Sequence, residues 1–305
     1  MAASHRPFIA IGSVTLDRIY KVEALPGKGG KYRASDYLEV GGGLAATAAV
    51  AIARLGEAVE FVGRVGSDAA GRHIIAGLAA ERVGTRGMQI LPGIRSVTPA
   101  VLVDATGERA IISNTDPKLY DGPGDIASFL QEVATSRGVT ADVRWLEGAR
   151  AVLDVARACR LPAVLDVEKA AASAVADLAP RASHVVFSTP GLATYTGTDD
   201  VTIGLNKAFA EFGDVVAVTM GGDGVLVLSA AGLAHVVAPK VDVVDTTGAG
   251  DAFHGAYLVA IAEGQDAIEA ARFANAVAAL KCTRLGGRAG LPTRTEVNAF
   301  RILHG

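Results

Sequence analysis

Short Val/Ile-rich runs alternate with longer Ala/Leu-rich stretches along this chain, and that alternation constrains its fold more than any other feature. A β-run, a helical run and a second β-run in succession describe parallel strands joined by crossover helices that cover both faces of one sheet. Phe8–Ile11, Val59–Val65, Ala163–Val167, His184–Phe187 and Val215–Thr219 read as strands. Leu44–Leu55, Gly71–Glu81, Glu147–Cys159, Val201–Phe212, Ala252–Glu263 and Asp266–Lys281 read as helices, and Gly56 is a C-cap for the first. The expected class is α/β, with a mostly parallel central sheet flanked by helices.

Two segments break the alternation. Residues 18–40 carry Pro26, Gly27, Gly29 and Gly30 between alternating polar and apolar pieces, and Thr98–Ile112 alternates about an Asp104–Gly107 turn. Both are expected to form antiparallel strands of a small β-sheet lid. The reading is one unit over 1–305, with the α/β core at about 6–17, 41–85 and 119–305 and the lid at about 18–40 and 86–118.

Composition narrows the function classes. Half of the 305 residues are hydrophobic but only 5% are aromatic, so Ala, Val, Leu, Ile and Gly must fill a large core. Lys and Arg total 29 against 32 Asp and Glu, a net charge of −3, which argues against a nucleic-acid partner. No run is long enough to cross a membrane, and Met1–Ser13 lacks the features of a signal peptide, so a cytoplasmic protein without a membrane partner is expected. Cys159 and Cys282, both in helical patterns, read as buried structural thiols.

The stretch Val241–Ala256, VDVVDTTGAGDAFHGA, carries the chemistry. An apolar run leads through Asp245-Thr246-Thr247 into Gly248-Ala249-Gly250, and a helix opens at or just after Asp251. Small residues at 248–250 let backbone N–H groups and the helix N-terminus receive an anion. Asp251 beside that anion is expected to be held ionised by the helix dipole and to take a proton from an attacking hydroxyl. Together these suit phosphoryl transfer.

D-T-T-G-A-G-D-A-F resembles the C-terminal signature of the ribokinase-like (PfkB) carbohydrate kinases. Gly41-Gly42-Gly43-Leu44-Ala45-Ala46-Thr47, leading to Ala53-Arg54-Leu55-Gly56, resembles their N-terminal signature. The resemblance spans essentially the whole chain. It implies a Rossmann-like core with a β-lid, ATP as donor and Mg²⁺. It places sugar hydroxyls on Asp17 and on the Gly42 and Gly43 backbone, and the ATP phosphates at Thr219, Gly221 and Gly224. It also puts adenine beside Asn275. Taken alone, Asp17 reads as a surface carboxylate, 219–224 as a strand–turn–strand, and Asn275 as readily as a solvated helix face.

Two departures stand out. The family's N-x-x-E motif is replaced by Ser188-Thr189-Pro190-Gly191, leaving Asp166 or Glu168 to anchor the waters of Mg²⁺. The family's monovalent-cation loop maps to Asp245 and Arg284–Gly290, including Gly286, but Gly290 stands in place of a common Ser; backbone carbonyls there could still bind K⁺.

The acceptor is read from a combination of segments. Asp17-Arg18-Ile19-Tyr20, Gly30-Lys31-Tyr32, Ala141-Asp142-Val143-Arg144-Trp145 and the stretch from Ala279 to Gly290 resemble the branch of the family that phosphorylates 6-deoxy-6-sulfofructose. That likeness implies a sulfonate held by Lys31, Asn114 and Arg144, with Ser113 the directly aligned residue beside Asn114. Charge-assisted bonds from separate segments suit a tetrahedral oxyanion. Taken alone, Lys31 reads as a solvated lid lysine and Arg144 as a salt-bridged strand-end arginine. Thr47 stands where ribose kinases carry Asn. The open alternatives are kinases of another ketose, a phosphorylated sugar, ribose or a nucleoside, and a non-catalytic sugar or nucleotide sensor. Gly12-Ser13-Val14-Thr15 after the first strand is not G-x-G-x-x-G, which disfavours a nicotinamide enzyme. Unpaired edges on an open lid sheet suggest a homodimer through the lid.

Overall fold

The computed structural model describes residues 6–304. Met1–His5, the start of the segment read as lacking a signal, and Gly305 lie outside the described residues. In chain order the strands are β1 (Phe8–Ile11), β2 (Thr15–Lys21), β3 (Asp36–Gly42), β4 (Val59–Gly66), β5 (Gly84–Leu91), β6 (Ala100–Val103), β7 (Arg109–Ile112), β8 (Val139–Asp142), β9 (Ala163–Val167), β10 (His184–Ser188), β11 (Val215–Thr219), β12 (Val225–Ser229) and β13 (Gly232–Val236). The helices are α1 (Leu44–Arg54), α2 (Ala69–Ala80), α3 (Leu130–Ala134), α4 (Leu146–Ala158), α5 (Ala172–Leu178), α6 (Thr189–Thr196), α7 (Val201–Phe212), α8 (Ala249–Ala262), α9 (Ala267–Cys282) and α10 (Arg294–His304).

Nine strands form the central sheet in the order β13-β12-β11-β10-β9-β8-β1-β4-β5. All its neighbours pair parallel except the β11–β12 and β12–β13 pairs. From β1 the chain moves to β4 and β5 on one side, then returns through β8 to β11 on the other. The junction of β1 and β8 is therefore a topological switch point, where a ligand crevice opens beyond the strand C-termini.

Small residues set the packing around that crevice. Helix α1 buries eight of its eleven residues, five of them alanine. A Cβ on Gly255 of α8 would stand 2.5 Å from the Ala48 carbonyl, so glycine lets α8 and α1 cross in direct contact. This is how a chain poor in aromatic residues reaches a dense core.

Strands β3-β2-β6-β7 form the separate lid sheet. The β2–β3 and β6–β7 pairs are antiparallel, as expected, and a parallel β2–β6 pairing joins them. β5 departs from the expected lid span of 86–118: it pairs with β4 and extends the central sheet. Only the segment beyond Leu91 crosses to the lid. The cysteine reading also changes. Cys159 is exposed and Cys282 partly so, because each falls at a helix C-terminus, past the packed stripe. Among the described residues, no helix is long and apolar enough to cross a membrane.

Candidate active site

The turn before α8 has the form that its sequence calls for. Gly248 caps the helix in the left-handed region, with φ of 76°, and a Cβ there would press on the Thr47 methyl at 3.3 Å and Gly287 at 3.4 Å. The first turn of α8 leaves the N–H groups of Gly250 and Asp251 without an acceptor among the described residues, while Ala249 donates back to the Thr246 carbonyl. Those free donors and the helix dipole suit an anion.

Asp251 is partly shielded at the helix start. Enclosure by protein raises its pKa well above the usual carboxylate value, and Asp166, Glu168 and Asp142 add to the rise, while Arg288 opposes it. The expected pull of the helix dipole on Asp251 is thus opposed, because desolvation and three neighbouring carboxylates push its pKa up. A carboxylate whose pKa is raised holds an accepted proton more tightly than an ordinary one.

On the acceptor side, Asp17 lies on β2 and its Oδ1 accepts from Thr15 Oγ1 at 2.6 Å. Gly42, opposite Thr15 in register, has no room for a side chain: a Cβ would lie 2.4 Å from Asp17 Oδ2. Gly43 has φ of 94°, and a Cβ would fall 2.5 Å from the Ser13 carbonyl. Thr47 is buried beneath the anion turn, so its contact is with Gly248.

Asp142, whose carboxylate received no role in the sequence reading, fastens this corner together. Its Oδ2 accepts from Ser13 N and Ser13 Oγ, each at 2.7 Å, and from Ala45 N at 3.2 Å, while Oδ1 accepts from Arg144 N at 2.9 Å. One fully buried carboxylate therefore ties the ends of β1 and β8, the start of α1 and the Arg144 backbone. The available signal was a lone carboxylate closing an apolar strand.

The residues expected to meet the nucleotide come together. Thr219, Gly221, Gly224, Ala249, Gly250 and Asn275 line one cavity of about 200 Å³. Gly224, with φ of 89°, could carry no Cβ, which would meet the Val236 carbonyl at 2.1 Å. Asn275 donates from Nδ2 to the Val236 carbonyl at 2.9 Å, so it shapes the wall by pinning β13 to α9.

Two further arginines, given no role from sequence, enclose the site. Arg288, 8% exposed, donates from Nη2 to the Gly42 carbonyl at 2.5 Å. A Cβ on Gly41 would stand 2.2 Å from its Nη1. Burial lowers the pKa of Arg288 to about 10, and its charge faces Asp17 and Asp251. Arg109 of the lid strand β7 donates to Thr246 Oγ1 at 3.0 Å and to Thr247 Oγ1, tying lid to anion turn.

The oxyanion set is less assembled. Lys31 in the β2–β3 loop, Asn114 after β7 and Arg144 after β8 are all exposed. Ser113 and Asn114 lie beyond the last residue of β7, so strand alternation does not govern which way they face.

Asp166 lies 3.2 Å from His254 Nε2, and Glu168 accepts from Ser188 Oγ at 3.4 Å. Among the described residues no three acidic, His or Cys side chains form a direct metal cage. A surplus of carboxylates without a cage fits Mg²⁺ carried by nucleotide phosphates and waters. The monovalent-cation positions do assemble: Asp245 Oδ2 accepts from Gly286 N at 2.9 Å, and Gly290 N donates to the Gly286 carbonyl at 2.9 Å. They do not fit a free K⁺, because Lys281 Nζ already donates to the Asp245 carbonyl at 2.7 Å.

Residues 8–294 match the pfkB family carbohydrate kinase description. The chain belongs to this family. It is 32% identical to the ribokinase of Bacillus subtilis over 298 residues, covering 96% of this chain and 98% of the relative. It is 30% identical to the aminoimidazole riboside kinase of Salmonella typhimurium, covering 88% and 90%. A crystal structure from Agrobacterium tumefaciens superposes with a TM-score of 0.92 at 36% identity, covering 98% of each chain. This PfkB protein is an ATP-dependent carbohydrate kinase, with the ribokinase-like fold expected from its signatures.

Proposed function

We propose that this PfkB kinase transfers the γ-phosphate of ATP to the C1 hydroxyl of a sugar bearing a terminal oxyanion, with 6-deoxy-6-sulfofructose as the acceptor. The observation that carries this reading is a pair of unspent cations. Among the described residues, neither the Lys31 nor the Arg144 side chain has a hydrogen-bond or ion-pair partner. Free cations on two different segments can meet one tetrahedral anion from two directions.

In this reading Asp17 and the Gly42–Gly43 backbone hold the sugar hydroxyls. Asp251 takes the proton of the attacking hydroxyl, and that oxygen displaces ADP from the γ-phosphorus in line. The Gly248-Ala249-Gly250 turn leaves the N–H groups of Gly250 and Asp251 free to meet the charge on the phosphoryl group in flight. Thr219, Gly221, Gly224 and Asn275 position the nucleotide. Mg²⁺ bound with ATP would offset phosphate charge, with Asp166 and Glu168 orienting its waters. The enzyme is cytoplasmic in this proposal. It pairs as a homodimer through the lid, where Ile111 and Ile112 on edge strand β7 are 65% and 66% exposed.

Ribose is the second reading, favoured by the 32% identity to a ribokinase. A kcat/KM panel of sulfofructose, fructose 6-phosphate, fructose, ribose and adenosine separates the two. Sulfofructose should rank first. A preference for ribose or any other uncharged acceptor would overturn the oxyanion reading while leaving kinase chemistry in place.

A further inference from the structure

The loop that the family likeness assigns to a monovalent cation is folded around a lysine of this chain. Lys281 is the next-to-last residue of α9 and its side chain is 0% exposed. Nζ donates to the Asp245 carbonyl at 2.7 Å and lies 3.8 Å from Asp245 Oδ2. Asp245 in turn accepts from Thr247 N, Thr247 Oγ1 and Gly286 N, so the ammonium is fixed to the turn that leads into the anion site.

The glycine at 290 belongs to the same arrangement. A Cβ there would sit 2.8 Å from the Gly286 carbonyl, 3.1 Å from the Arg284 carbonyl and 3.2 Å from Lys281 Cε. The lysine stem and the two carbonyls therefore share the space that a side chain at 290 would enter. A buried ammonium is costly unless carbonyl or carboxylate oxygens surround it, and Asp245 supplies both kinds. The Lys281 ammonium donates to the Asp245 carbonyl and lies near the Asp245 carboxylate, oxygens of the loop that the family likeness assigns to a monovalent ion. Being tethered, it has an effective concentration that no solution ion need match.

We propose that the Lys281 ammonium is the resident monovalent cation of this kinase, so that phosphoryl transfer needs no added potassium. Lys281 is a positioning residue: it touches neither substrate but holds the Asp245 carbonyl, and through it the Thr246–Gly250 turn. The assignment is independent of which sugar is phosphorylated.

The test compares turnover and melting temperature with tetramethylammonium, potassium or ammonium as the counter-ion, using the best acceptor from the panel. Wild-type rates should agree within about twofold across the three salts, with no potassium-specific gain in Tm. Lys281→Ala opens the space, so turnover should fall about a hundredfold in tetramethylammonium and recover in potassium or ammonium, with Tm rising in parallel. Lys281→Met fills the space without charge and should stay slow in every salt. Potassium activation of the wild type beyond about twofold overturns the proposal. So does full activity of Lys281→Ala without either ion, or a loss that neither ion restores. If Lys281→Ala fails to fold, the wild-type salt series for rate and Tm decides alone.

Discussion

The anion turn and the acceptor end of the cleft are built by opposite means. At the turn, Gly250 and the start of α8 present backbone donors, and Gly248 combines a left-handed backbone with close neighbours that disfavour a larger side chain. The proposed acceptor grip, Lys31, Asn114 and Arg144, consists of exposed side chains on three separate connections. Backbone donors in a packed turn need no further ordering before reaction, which suits the step common to every substrate. Long exposed side chains pay rotamer entropy when they grip a ligand but can change without disturbing the fold. The proposed function thus puts chemistry in the rigid region and selectivity in the adaptable one.

The sharpest way to break this comparison is to remove the proposed base. Asp251→Asn should lower kcat by about 10³-fold while leaving ATP affinity within about twofold, measured by turnover and by titration calorimetry. A variant retaining a tenth of wild-type kcat would move the chemistry away from the turn. The same residue sets an acid limb. The ionised carboxylate is the active form and its pKa is raised, so kcat/KM should climb with pH at values above an ordinary carboxylate range. Arg288 lowers that pKa, so Arg288→Met should displace the limb to still higher pH. A limb that stays in place would separate Arg288 from Asp251.

A smaller effect is expected at the junction of the two regions. Gly42→Ala places a methyl about 2.4 Å from Asp17 Oδ2 and 2.5 Å from Thr15 Oγ1, so the acceptor carboxylate must turn away. Sugar KM should rise by about tenfold or more, with ATP KM unchanged. An equal rise in both constants would indicate general loosening of the β2–β3 pair.

The same contrast explains what was legible in the sequence. The alternation of runs located α7, β9 and β11 at their observed bounds, because burial on both faces of a sheet leaves near-continuous apolar strands. The anion turn was legible because small residues at 248–250 answer a local backbone need. Asp142, Arg288 and Lys281 were not assigned roles, since each works through groups far away in sequence: Asp142 meets Ser13, Arg288 meets Gly42, and Lys281 meets Asp245. Lys281 did leave a trace. It continues the buried stripe of Ala270, Ala274 and Val277 on α9, where a lysine has no reason to be unless a partner waits. β5 misled because its mostly half-buried residues are those of an edge strand, which fits either sheet.

The smallest effects are expected at the exposed cations, and they test the comparison most directly. Each of Lys31→Ala and Arg144→Ala should lower kcat/KM for an oxyanion-bearing sugar by about tenfold, roughly one charge-assisted hydrogen bond. For a neutral ketose the same variants should change kcat/KM by less than about twofold, because no anion is there to lose. Melting temperature should hold in both, since among the described residues neither side chain has a hydrogen-bond or ion-pair partner to forfeit. The expected loss is confined to KM: the grip is complete before phosphoryl transfer begins and should not strengthen during it. An equal drop for charged and neutral sugars would place Lys31 and Arg144 in the common machinery. The division between a rigid catalytic turn and an adaptable acceptor end would then fail.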